Sequence, residues 1–106
     1  TMADYPKQYE SMKKRFQPYF TAAENLGKAA KEAGPLDSKT AQLIQLAASA
    51  AIRSEGAVHS HTRRALEAGA VPEEIYHALI LCAATIGLPT VSAALSWAED
   101  VFVGKK

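Results

Sequence analysis

One cysteine, Cys82, is all the sulfur nucleophile this 106-residue chain contains. A single thiol excludes an internal disulfide, a Cys-x-x-Cys redox pair and a thiolate metal cage within one chain. It lies in the apolar run Ala78–Ala84 and reads as a buried packing thiol. Charge of one sign is also missing. Twelve basic and eleven acidic side chains leave a formal +1, without the basic footprint of a nucleic-acid binder. Lys13-Lys14 and Lys105-Lys106 are too sparse to suggest DNA and read as solvated faces and ends. No run reaches the ~18 apolar residues of a membrane span, and the N-terminus has no signal-peptide hydrophobic region. The glycines follow neither P-loop nor dinucleotide-binding spacing, so no phosphate cradle is expected. Strand-type alternation of β-branched residues is absent as well. What remains is a single domain over residues 1–106, cytoplasmic by default, with neither nucleic acid nor membrane as partner. Thr1 ahead of Met2 reads as an added residue, with Met2 as the native start.

Alanine is abundant, at 21 residues, and has the highest helix propensity of any residue. The spacing predicts an all-α bundle of about six helices, broken at Gly34-Pro35, Gly56, Gly69–Pro72 and Gly87-Leu88-Pro89. Residues 3–33 are amphipathic, and Tyr5, Tyr9, Phe16, Tyr19 and Phe20 supply five of the eight aromatics there. Pro18 is expected to bend or split this region. The next helix follows Asp37 or Ser38 as N-cap and carries Leu43, Ile44 and Leu46. A short helix after Gly56 stops at Gly69. Pro72, Glu73 and Glu74 open a fifth piece whose only strongly polar side chain between Ile75 and Ile86 is His77, so it is expected to be buried nearly all round. The last helix carries Val91, Leu95, Trp97 and Phe102, with Trp97 read as packing.

Each alanine buries little surface. At ~25 cal/mol per Å² of apolar area, an 11.3 kDa chain so rich in alanine gains modest stability alone. Two nearly all-apolar helices in so small a domain imply a homo-oligomer whose interface completes the core.

The stretch Ser54–Gly69 holds the residues able to do chemistry. At 100° per residue His61 shares a face with Ala57, Val58, Ala65 and Ala68, and is expected to point inward. His59 lies about 160° away beside Arg63 and Leu66, on the expected wet side. The two rings point apart, and helical chelates use i, i+4 spacing, so no metal site and no cofactor is expected. His61 reads either as a core histidine satisfied by a neighbour or as a general acid or base. Arg64, at i+3, reads either as a solvated arginine or as an anchor for an anionic group. His77, in an apolar helix, needs a partner. It reads either as a structural hydrogen-bonding group or as a second acid/base facing His61.

The helix Ala41–Ala48, His61 with Ala65 and Gly69, Pro72-Glu-Glu-Ile75, and Gly87-Leu-Pro89 together resemble the carboxymuconolactone decarboxylase family, which includes alkylhydroperoxidase-D-like proteins. The resemblance is strongest over residues 40–103. It implies an alkylhydroperoxidase-D-like helical fold, assembly into trimers or hexamers, and one of two chemistries. Peroxidase-like members use a Cys-x-x-Cys pair, a histidine between the cysteines and a glutamate on the preceding helix. Those positions here are Ser54, Ala57, Gly56 and Gln42, so only His61 of that machinery remains. Dithiol peroxide reduction has no nucleophile at this site. Decarboxylase-like members lack the cysteines and keep the histidine. The resemblance therefore implies a cofactor-independent, lyase-like enzyme acting on a small carboxylated lactone or related acid. The alternative is a non-catalytic or ligand-binding homo-oligomer that kept the fold.

Overall fold

A computed structural model describes residues 6–105. Thr1, Met2, Tyr5 and Lys106 lie outside the described residues. The described chain is helical, with no strand, and it forms two compact units that divide after Leu36.

The first unit pairs α1 (Lys7–Arg15) with α2 (Gln17–Glu32). The break falls at Phe16, and Pro18 occupies the first turn of α2, where its missing N–H forfeits no helical bond. An edge-to-face contact of Tyr9 with Phe20, ring centroids 5.5 Å apart, joins the two helices. Lys13 adds an ion pair to Glu24 at 2.7 Å. Neither helix contains a fully buried residue.

The second unit begins at Asp37, which caps α3 (Ser38–Ala51). Its Oδ1 accepts the Thr40 N–H at 2.8 Å, and that hydrogen bond holds the carboxyl below its ordinary range. A three-residue turn with Arg53 in the left-handed region (φ 57°) leads to α4 (Glu55–Glu67). The helix thus starts one residue before Gly56, not after it, because Ser54 Oγ accepts the Ala57 N–H and fixes the cap there. Gly69, at φ 101°, ends it as expected.

The fifth apolar piece divides into α5 (Pro72–Ile80) and a single turn, α6 (Ala83–Ile86). No glycine or proline marks this break. The backbone tightens instead, with Cys82 N–H bonded to Leu79 O and Thr85 N–H to Cys82 O, and α6 packs on α7 (Leu88–Phe102). Nor is the piece buried all round: His77 is exposed, Ile80 is 54% exposed and Leu81 66%. Ile75 and Leu79 alone among its residues are fully enclosed, because α5 packs on one side only, against α3, α4 and α7. His77 is hydrated at the surface, so it does not need the buried partner that an enclosed position would demand.

Nine residues make the main buried cluster of this unit, and five of them are alanines: Ala50, Ala65, Ala70, Ala94 and Ala98; Val91 and Val101 are buried as well. Leu46, Val58, Ile75 and Leu79 supply the large apolar side chains of that cluster. Trp97 and Phe102 pack against it from the rim. The α3–α5 contact is reinforced by Lys39 Nζ donating to Glu74 Oε2 at 2.9 Å. Glu74 Oε1 also accepts the Val71 N–H at the start of α5, and this bond, followed by the Lys39 pairing, lowers the Glu74 pKa.

Leu46→Ala should cost about 2–5 kcal/mol, because so few large side chains share the core. Urea denaturation checks this, and a loss below about 1 kcal/mol would show that the site collapses around the deletion. The depressed Glu74 pKa stabilises the fold above the usual carboxylate range, and that contribution disappears as the pH falls through the folded-state value. Glu74→Gln should therefore be less stable than the parent at neutral pH and converge with it in acid. A stability difference independent of pH would refute the linkage.

Candidate functional site

α4 packs against α3 on one flank and against α7 on another. This double contact decides where its polar side chains go. His61 lies on the α3 flank, half-buried, with Nδ1 2.9 Å from Oε1 of Gln42. Gln42 is itself buried, one helical turn ahead of Leu46. An amide oxygen can only accept, so Nδ1 is the donor and the neutral ring carries its lone pair on Nε2. The two positions singled out from the resemblance, on separate helices nineteen residues apart, thus meet in a direct hydrogen bond.

The expected wet side of α4 is not wet. His59 is 6% exposed and Arg63 5%. The helical wheel placed His59 and His61 on divergent faces, and they do diverge, but the second face meets α7 instead of water. Asp100 of α7 makes that burial tolerable by accepting the His59 Nε2–H at 3.1 Å. Glu55, one turn earlier on α4, brings Oε2 to 3.8 Å from the same nitrogen. The i, i+4 spacing of Glu55 and His59 was legible in the sequence. Asp100, forty-one residues away, was not.

The remaining positions that the resemblance compares with redox groups lie at the start of α4. Ser54 is the N-cap, Gly56 lies in the first turn, and Ala57 donates its backbone N–H to Ser54 Oγ at 3.3 Å. A serine cap and an alanine stand there, neither of them a thiol. Arg64 follows His61 by three residues and is half-buried.

A cavity of about 650 Å³ lies on the other flank of α3. Leu43, Ile44 and Ala47 face Ala78, Leu81 and Ile86 across it, with His77 and Cys82 on the wall. His61 is not among its lining residues. The structure therefore sets His77 on this cavity and His61 on the α3–α4 seam, one on each side of α3. Cys82 is half-buried rather than enclosed, and its thiol donates to the Ala78 carbonyl at 3.4 Å. Among the described residues no helix is long and apolar enough to cross a membrane.

A family model described as the carboxymuconolactone decarboxylase family matches residues 17–100 of the chain. The match begins in α2, well before the stretch that carries the motif resemblance. No curated protein and no solved structure matches.

If Gln42 orients the imidazole, Gln42→Glu should let His61 hold its second proton to higher pH than in the parent, since a carboxylate then faces Nδ1. Side-chain NMR titration resolves the two histidines of α4, and an unchanged His61 titration would show that the amide does not govern the ring.

Proposed function

The chain belongs to the carboxymuconolactone decarboxylase family, and from that premise we propose that it is a cofactor-independent, decarboxylase-like lyase with His61 as its general acid/base. The observation that carries this reading is the 2.9 Å hydrogen bond from His61 Nδ1 to the buried amide of Gln42. It fixes the tautomer of the ring, so that proton transfer runs through Nε2.

Loss of carbon dioxide breaks the bond between the carboxylate and its neighbouring carbon. The electron pair is left on that carbon and spreads onto the adjacent carbonyl oxygen. The imidazolium form of His61 delivers the Nε2 proton to the carbanionic carbon and returns to the neutral ring, still donating through Nδ1 to Gln42. Solvent water restores the second proton. Arg64, one turn along the same helix, serves as the anchor for a carboxylate by a charge-assisted hydrogen bond. The substrate class that suits these two groups is a small carboxylated lactone or a β-keto acid. Gln42 does not share the cycle as a base, because an amide cannot take up a proton at neutral pH.

The site is read within an assembly of identical chains, a trimer or hexamer. Ile44, Ile80, Leu81 and Leu88 are each more than half exposed in the single chain, and burial of such apolar groups would favour self-association. A second reading, a ligand-binding oligomer without turnover, draws its support from the 650 Å³ apolar cavity that excludes His61.

In a screen of carboxylated lactones and β-keto acids, His61→Ala should lower kcat by about 10²–10⁴-fold, the usual range for loss of a general acid or base. Arg64→Ala should mainly raise KM. Turnover that survives His61→Ala intact would sink the catalytic reading. Binding without turnover, unaffected by His61→Ala and weakened by Leu43→Ala, would establish the second.

A further inference from the structure

Away from the Gln42–His61 pair, we propose that Glu55, His59 and Asp100 form a binding site for a divalent transition-metal ion of the zinc type, bridging α4 and α7. One imidazole nitrogen and two carboxylate oxygens converge there, all within 4.8 Å of one another. Ligands about 2.0–2.2 Å from a tetrahedral metal stand about 3.4 Å apart. His59 Nε2 is 3.1 Å from Asp100 Oδ2 and 3.8 Å from Glu55 Oε2, values that bracket that edge. The adjustment needed falls on Glu55, whose side chain is 51% exposed and so has room to turn.

A plain histidine–carboxylate bond does not account for the arrangement. Asp100 alone satisfies the Nε2–H, and the second carboxylate sits beyond hydrogen-bond range of the ring. Two like charges held close together repel each other, and a cation between them removes that repulsion. Arg63, one turn past His59 on the same face and also buried, supplies one positive charge. With a neutral ring the four groups still sum to −1, and a divalent ion fits that balance. The donor set selects the metal class: an imidazole nitrogen disfavours magnesium and calcium, which take oxygen alone, and the lack of a thiolate disfavours copper(I). The anchor is rigid, because His59 is almost wholly enclosed, while the two carboxylates open toward solvent. Water therefore completes the coordination. Bound there, the ion ties the first turn of α4 to the C-terminal half of α7, a staple that raises the stability of the folded state by mass action.

Titration of the untagged, metal-free protein with Zn²⁺ by calorimetry should give one ion per chain and a higher Tm. Co²⁺ should produce the visible absorption of a low-coordinate site. His59→Gln and Glu55→Gln should each abolish or weaken binding at least tenfold. The exposed Glu55 variant keeps the test valid should loss of His59 unfold the chain. His61→Gln and His77→Gln should bind as the parent does. Absence of saturable binding would overturn the proposal, as would binding that survives Glu55→Gln or that depends on His61 or His77. Either result leaves the proton-transfer reading of His61 untouched.

Discussion

Contact of α4 with α3 on one flank and α7 on another governs where the polar side chains of this helix find their partners. A helix covered on a single side would leave half its polar residues in water, where a histidine does nothing in particular. Covered on two sides, α4 must satisfy every imidazole it carries, and each neighbour supplies a different partner. α3 offers the Gln42 amide to His61, whereas α7 offers the Asp100 carboxylate to His59. A ring bonded to an amide and a ring beside two carboxylates sit in different electrostatic surroundings. The same helix therefore holds an amide-bonded imidazole on one flank and an imidazole beside two carboxylates on the other.

Small side chains at Ala50, Ala65, Ala94 and Ala98 are buried where α3, α4 and α7 pack together. The same economy of volume leaves the second unit with few large core residues and with apolar side chains such as Ile80 and Leu81 in water. The cavity on the far flank of α3 belongs to that exposed apolar side. Ser54 spends its side chain on capping α4, which strengthens the helix start.

Much of the fold was legible in the residues. Asp37 as a cap, Pro72 at a helix start and Gly69 at a helix end follow from local backbone chemistry, and each holds in the structure. The Leu81–Cys82 break was hidden because no glycine or proline encodes it; packing of α6 on α7 imposes it. The burial of His59 was missed for a related reason. Helical periodicity gives the angle between two side chains, but it does not reveal how many sides of the helix are covered. Gln42 came into view only through the family resemblance, since a glutamine in an apolar helix has no distinguishing local signal.

By itself the sequence determined an all-helical chain, the divergence of His59 from His61, and the absence of a Cys-x-x-Cys pair, since each depends on residue type and on spacing along one helix. Only the tertiary structure decided which ring meets an amide and which meets carboxylates, and that His77 faces a cavity that His61 does not. Those outcomes depend on distances between residues nineteen and forty-one positions apart, which packing sets and local propensity does not encode.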